Sequence, residues 1–447
     1  MPSSGDERVR PWLALAVLFC INLMNFYDRL VIGAVGEAIA LDWQLGDTEL
    51  GYLGTAFILL YAVVGLPLGR LADRTSRTRI LTVGVAVWSV LTALSGFATR
   101  FWHMVVLRLA VGVGEASCAP AANSLLGDLF PATSRARAMS IFMLGLPVGN
   151  ALALLVSGIV TQRWGWQAAF FVALVPGILC ALAAARLREP PRGAKEQHAI
   201  GDARREGSPL RLVLSIPTMR WIIVSGAVHN FSMYTIGGFL APLVIRVHGL
   251  SPQSAGLVTM AVFGLAGVPG MLLGGVWGDA AVRRHASGRL RVGAAAAALS
   301  VPLFYVALGS GPGDWLRFGV LFGLACASMY VYYATVYTTI QDVIEPSLRA
   351  TAMAVFFLAM YTLGGALGPI VIGRASDHFA REAAAADGVV LAQLDDASKR
   401  PYRARGLNTA LFALPIASSV LTLSLIAGAR TVRRDVEALQ AWMRSRS

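Results

Sequence analysis

Runs of about 20 apolar residues recur along the chain, separated by short polar stretches rich in arginine, a pattern that predicts membrane-spanning helices rather than the core of a soluble domain. These runs lie near 12–39, 50–71, 80–99, 102–127, 138–161, 167–186, 219–245, 253–278, 292–309, 316–341, 350–373 and 407–428. At 1.5 Å per residue each is long enough, or nearly so, to cross a hydrocarbon core of about 30 Å. The predicted fold class is an all-α polytopic membrane protein, with twelve transmembrane helices in two six-helix bundles around a central cavity.

The polar stretch from Arg188 to Pro217 divides the runs six and six; Pro190-Pro191-Arg192-Gly193 stands at its head and Glu206-Gly207-Ser208-Pro209 near its end. Such proline- and glycine-marked polar segments are linkers. The predicted units are a first bundle at 1–187, a cytoplasmic linker at 188–217, a second bundle at 218–429 and a cytoplasmic tail at 430–447. The bundles echo one another. Gly69-Arg70-Leu71-Ala72-Asp73 closes the second run and Gly275-Val276-Trp277-Gly278-Asp279 the eighth, while Pro131 to Arg137-Ala138-Met139 matches Pro346 to Thr351-Ala352-Met353 at nearly the same offset. Two echoes at one spacing predict a duplicated six-helix unit. The segment from Arg381 to Arg405 is expected to be a polar loop on the outer side. In the tail, Val432, Val436, Leu439 and Met443 share one helical face, which suits either an interfacial helix or a solvated one.

Composition agrees with the pattern: of 447 residues 56% are hydrophobic and 14% charged, with mean hydropathy +0.62, against about 25% charged in soluble proteins. The net charge of +13 does not form a stripe on a soluble domain; the basic residues follow the loops on the side that would hold both termini, as the positive-inside rule expects of a multi-pass cell-membrane protein. A nucleic-acid partner is not expected. Cys20, Cys118, Cys180 and Cys326 are scattered through apolar runs without disulfide or metal spacing. The first run is too long for a signal-peptide core and is expected to be a retained span. The only lysines, Lys195 and Lys399, precede Glu196 and Arg400, so no phosphate-binding Gly-Lys-Ser/Thr loop exists. Six scattered histidines without a His-x-x-x-His pattern argue against a membrane-embedded enzyme.

Against this apolar background Asp28, Arg108 and Glu115 require a reason, since a charge at membrane depth costs on the order of 3 kcal/mol or more and marks a functional site by default. Arg108 and Glu115 are seven residues apart, two turns on one helical face. Distances from the outer end come to about 15 Å for Asp28, about 9 Å for Arg108 and about 20 Å for Glu115, so a facing Asp28 is expected to bridge the other two. Two carboxylates sharing one guanidinium leave a surplus negative charge, which predicts proton uptake by one of them. A fixed ion pair holding the helices in register is the alternative. Arg29 points about 100° away from Asp28 on a helix, toward either the cavity or the membrane interface.

The Gly-x-Leu-Ala-Asp-Arg-x-x-Arg pattern from Gly69 to Arg77, its degenerate copy at Gly275 to Asp279 and Arg108-x-x-x-Gly112 resemble the major facilitator superfamily, and six plus six helices fit it over nearly the whole chain. Asn25-Phe26-Tyr27-Asp28-Arg29 and Gly112-Val113-Gly114-Glu115-Ala116-Ser117 resemble, more narrowly, the Spinster family. The superfamily resemblance implies alternating access by two rocking bundles and a cytoplasmic gate at Asp73, Arg74, Arg77, Asp128, Arg137 and Asp279. The Spinster resemblance implies lipid-like substrates such as lysophospholipids or sphingosine phosphate, with protons as the coupling ion and no other cofactor.

The expected proton-coupling set is Asp28, Arg108 and Glu115. The candidate cavity lining is Asn25, Arg29, Asn123, His229, Tyr330, Tyr333 and Tyr361, with Tyr332 and Tyr337 nearby: a charged first half facing a second half of aromatic and hydroxyl character, which suits an amphiphile better than a sugar. For His229 a structural, hydrogen-bonded role is the alternative to a relay. Gly145, Pro147 and Gly149 in the fifth run and Gly364, Gly365, Gly368 and Pro369 in the eleventh occupy equivalent places, suited to bending or to close packing. The expected partners are an amphiphilic or anionic small molecule and the lipid bilayer, with the protein a monomer. Carriage of small organic anions, with Arg29 and Arg108 binding carboxylate, and drug efflux are the competing readings.

Overall fold

The computed structural model describes residues 10–130, 138–139, 141–190, 209–345 and 348–444, excluding the side chains at 59, 62–63, 65–74, 120, 349–351 and 443. Among the described residues all regular secondary structure is helical, as an apolar solvent demands of a chain that must satisfy its own backbone. Ten helices are long and apolar enough to cross a membrane. The second span, Asp47–Arg74, and the fourth, made of Phe101–Glu115 and Cys118–Leu129, complete the twelve expected.

Helix ends follow local chemistry. The first span, Pro11–Trp43, and the seventh, Pro217–His248, both begin with proline, whose missing N–H costs nothing in a first turn. They end on left-handed residues, Gln44 at φ 53° and Gly249 at φ 68°. The fourth span breaks at Ala116 and Ser117, where a single helix was expected. The cause lies in the sequence: Pro120 has no N–H to bond the Ala116 carbonyl, and Ser117 Oγ turns back onto Gly114 O at 2.8 Å. Glu115 is therefore the last residue before a helix break deep in the protein.

The halves meet along three seams: the first span against the seventh, the second against the eleventh, the fifth against the eighth. Gly33 lies against the backbone of Gly237, Gly51 against Pro369, and Gly158 against Gly256, so small residues bring the bundles together at backbone distance. The glycine-proline segments are close-packed in equivalent ways: Gly149 abuts Leu23 and Phe26 of the first span, and Gly364 abuts Ala227 and Phe231 of the seventh. The eighth and eleventh spans also carry π-turns, at Met260–Leu265 and Met360–Gly365.

Three boundaries differ from expectation. The predicted outer loop at 381–405 is largely helical, because the eleventh span runs on to Ala386 and another helix occupies Asp396–Leu411. No break separates the twelfth span from the tail, since one helix covers Ala413–Arg444. The tail also packs against protein: Val432 and Leu439 are buried, and Asp435 accepts hydrogen bonds from Thr218 N at 2.9 Å and Thr218 Oγ1 at 2.6 Å, capping the seventh span. In the linker, Pro209–Ser215 forms a short helix.

Candidate functional site

The centre of the molecule is built on the first span, whose Asn22, Asn25 and Arg29 recur at helical spacing on one face. Asn22 Nδ2 donates to Phe142 O at 2.8 Å, tying the first span to the fifth. One turn on, Asn25 Nδ2 donates to Glu115 Oε2 at 2.7 Å, and Arg29 Nε reaches the same oxygen at 2.9 Å. Glu115 is fully buried and the Arg29 side chain is 7% exposed, so this ion pair is held out of solvent and bound by charge-assisted hydrogen bonds.

The expected bridge is corrected here. Asp28 does not join Arg108 to Glu115; the partner of Glu115 is Arg29. Arg108 is fully buried and donates from Nη2 to the main-chain oxygen of Asp28 at 2.9 Å, leaving the carboxylate aside. Two neighbours on one helix diverge by about 100°, and it is the Arg29 direction that faces the break after Glu115. Among the described residues neither Asp28 carboxylate oxygen has a hydrogen-bond partner, nor do Arg108 Nε and Nη1 or Glu115 Oε1. Buried polar groups are seldom left so, and here several share one bundle.

Aromatic rings back both guanidinium groups. Arg29 lies over Tyr61 at 4.4 Å and over Phe26 and Phe57 at 5.1 Å, and Arg108 lies over Phe57 at 5.7 Å. Tyr61 then meets Tyr361 of the second half edge-on at 5.5 Å, and Tyr361 meets Tyr234 at 6.2 Å. Phe57, Tyr61 and Tyr234 were not among the expected cavity residues: the sequence gives no sign that aromatic side chains on three spans will converge on one arginine.

The second half presents a different interior. His229 is fully buried, stacked on Tyr332 at 4.1 Å and edge-on to Tyr333 at 5.0 Å, with neither ring nitrogen hydrogen-bonded among the described residues. It is thus packed into the aromatic layer rather than lining an open cavity, and the hydrogen bond expected of a structural histidine is absent there. Tyr330 is also buried, against Gly267 and Gly270 of the eighth span. Tyr333 and Tyr361 remain partly exposed, and Asn123 is exposed on Cys118–Leu129.

At the end of the molecule carrying Arg77, the expected gate is resolved into ion clusters. Arg77 pairs with Asp128 and, at 2.9 Å, with Glu189 Oε1, and its Nη1 donates to Ser124 Oγ at 2.9 Å. Asp128 therefore takes Arg77 as a partner, where Arg137 was expected; Arg137 and the side chains of Asp73 and Arg74 lie outside the described residues. Arg289 of the ninth span joins Asp279 at 2.9 Å and Asp342 at 2.5 Å. Each cluster stays within its own half. Glu189, beyond the sixth span, is held near pKa 2: burial opposes ionisation, but hydrogen bonds from Ser76 Oγ and from Arg77, with the guanidinium charge, outweigh it.

At the opposite end ionic contacts cross between the halves. Arg246 of the seventh span binds Glu37 at 2.6 Å and Asp47 at 2.8 Å, all three buried, and Ser376 Oγ donates to Asp47 at 2.5 Å. Arg374 Nη2 donates to Tyr52 at 2.7 Å. Below them Thr55 Oγ1 donates at 2.6 Å to Ala366 O, next to the π-turn of the eleventh span. None of these residues was anticipated as functional, because charges near the ends of apolar runs read as loop charges.

The Major Facilitator Superfamily model matches residues 18–369. Protein spinster homolog 1 from Bos taurus is 31% identical over 400 residues, covering 83% of this chain and 74% of its own length. An MFS-type efflux pump of Mycolicibacterium smegmatis is 26% identical over 369 residues, covering 82% of this chain and 85% of its own. The crystal structure of a bacterial homolog to the human lysosomal transporter Spinster, in its inward-facing and unoccupied conformation, superposes with a TM-score of 0.85 at 26% identity, covering 96% of this chain and 99% of that one.

Proposed function

Because the chain belongs to the Major Facilitator Superfamily and, within it, to the Spinster family, we propose that this membrane transporter carries lipid-like amphiphiles, of lysophospholipid or sphingoid phosphate type, by proton-coupled alternating access. The observation that carries the reading is the buried Arg29–Glu115 pair at the edge of the first half, with Arg29 over Tyr61 and Tyr61 against Tyr361 of the second. A charged group set against an aromatic wall matches a molecule with an anionic head and an apolar tail.

The residues divide the work. An anionic headgroup competes with Glu115 for the Arg29 guanidinium, which binds phosphate and carboxylate alike. A proton on Glu115 removes that competition, and a proton on Asp28 removes the second uncompensated carboxylate beside Arg108. Loading is thereby tied to proton uptake, and the charge state of the first half biases the equilibrium between conformations. The Arg246 end is the outer face, closed in this conformation, and both termini lie in the cytoplasm of a monomer in the cell membrane. Similarity to a Spinster homologue in its inward-facing state supports this orientation.

The test is transport into proteoliposomes under an imposed pH gradient with a labelled lysophospholipid. The gradient drives transport, unlabelled lysophospholipid competes, and a small carboxylate does not. Competition by the carboxylate would overturn the amphiphile reading in favour of a small organic anion. Asp28→Asn, monodisperse and folded, loses the dependence on the gradient; unchanged dependence would remove Asp28 from the coupling.

A further inference from the structure

The second span starts at Asp47 with Gly46 as its N-cap, a residue with no side-chain oxygen to satisfy the first free N–H groups. Glu49, at the third helical position, reaches back to Gly46 N at 3.0 Å, making half of a capping box. The missing half comes from the other bundle. Asp377 of the eleventh span accepts from Asp47 N at 2.9 Å, from Thr48 N at 2.8 Å and from Thr48 Oγ1 at 2.6 Å. The carboxylate lies where a Cβ on residue 46 would stand, 2.9 Å from its Oδ2.

The duplicated fold supplies an internal control, since the eighth span corresponds to the second and the fifth to the eleventh. At that seam Gln162 Oε1 of the fifth span accepts from Gln253 N of the eighth at 3.1 Å, the same type of bond in the equivalent place. The eighth span, however, has its own cap: Ser251 Oγ accepts from Ser254 N at 3.2 Å. One seam is thus closed by a charged cap that its helix lacks, reinforced by Arg246 and Ser376 on Asp47, and the other by a single neutral bond that its helix can lose.

We propose that Asp377 is the N-cap of the second span supplied in trans, and that it makes the seam of the second and eleventh spans the principal lock of this gate, while the self-capped seam of the fifth and eighth spans parts more readily. The inference rests on the alternating-access reading. Asp377 is a positioning residue: it touches no substrate, and it sets how often this end opens. Parting the lock uncaps the second span, so closure of the gate is coupled to the order of that helix's first turn.

The experiment uses the full chain with its four cysteines replaced, carrying one spin-label pair across each seam at this end, in nanodiscs, with distance distributions read as open and closed fractions. Asp377→Ala raises the open fraction at its own seam by about five- to thirtyfold, the equilibrium equivalent of losing a strong cap. Gln162→Ala changes either seam by less than about threefold. Gly46→Ser added to Asp377→Ala gives the helix a cap of its own: thermal stability returns while the seam stays open. Equal shifts at both seams in the two alanine variants would overturn the proposal, as would a Gly46→Ser that restores closure together with stability. If neither seam opens in any variant or across a pH gradient, alternating access fails and this inference with it, a result distinct from opening that ignores Asp377.

Discussion

The two halves of this transporter share a plan and differ in chemistry. The fifth span packs on the first through Gly149 as the eleventh packs on the seventh through Gly364. Arg77 holds Asp128 in the first half as Arg289 holds Asp342 in the second. At membrane depth the likeness ends. The first half buries Asp28, Arg108 and Glu115 with several polar atoms unsatisfied among the described residues, and the second buries His229, Tyr330 and Tyr332 in an aromatic layer. Duplication kept the residues that fix helix packing, where a lost glycine would meet backbone, and released those facing the centre, where each half took a separate task.

The comparison breaks first at Arg29. Removing one partner of a buried ion pair strands the other charge, at a cost of about 3–5 kcal/mol. Arg29→Ala is expected to lower the initial rate of lysophospholipid transport by more than about a hundredfold and to destabilise the protein. The double variant Arg29→Ala with Glu115→Gln regains thermal stability without regaining transport, since the stranded charge is gone but the headgroup ligand is not restored. Thermal unfolding followed by fluorescence, beside proteoliposome uptake, reads both. Tyr333→Phe in the second half should alter uptake by less than about threefold, the worth of one neutral hydrogen bond. If the tyrosine variant is as damaged as the arginine variant, the division between the halves is wrong.

A milder test lies at His229. Phenylalanine there retains the stack on Tyr332 and removes two ring nitrogens that find no hydrogen-bond partner among the described residues. Burying such a group costs about 1–3 kcal/mol, so His229→Phe should raise the melting temperature or leave it unchanged, with uptake within about twofold of the parent. A severe loss of uptake would assign the second half a polar role of its own at membrane depth.

What the sequence disclosed follows from which signals are local. Apolar length and the positions of Pro11 and Pro217 are properties of short segments, and the spans were placed accordingly. The depths of Asp28, Arg108 and Glu115 were inferred, but depth does not fix the direction of a side chain. The pairing therefore went to Asp28, where the structure gives it to Arg29. The break at Ala116 was legible in Pro120 and was passed over, because hydropathy alone runs straight through it. The Arg289–Asp342 pair was also within reach, since the echo of Pro131 at Pro346 brings Asp342 opposite Asp128. The Arg246, Glu37 and Asp47 cluster was not, because it joins residues about 200 apart that meet only when two bundles close.

The smallest expected effect concerns how the linker is attached to each half. Its head is fixed to the first half by Glu189, which accepts from Ser76 Oγ at 2.5 Å and from Arg77 N at 3.0 Å at the start of the third span. Its end adjoins the second half, where Asp435 of the tail caps the seventh span through Thr218. The first attachment titrates with a known sign. Glu189 is lowered from 4.5 in its ordinary state to about 2 in the folded protein, so its stabilisation is complete above about 4.5 and is lost as pH falls toward about 2. Glu189→Gln keeps the shape and removes the charge, and should lower the melting temperature by about 1–2 °C at pH 7. That gap should hold down to about pH 5 and narrow below about pH 4.5 as the parent loses its own carboxylate. Thermal unfolding of both proteins between pH 7 and pH 3.5 reads it, and a gap that stays constant to the acid end would mean that packing around the linker, rather than the Glu189 charge, holds it to the first half.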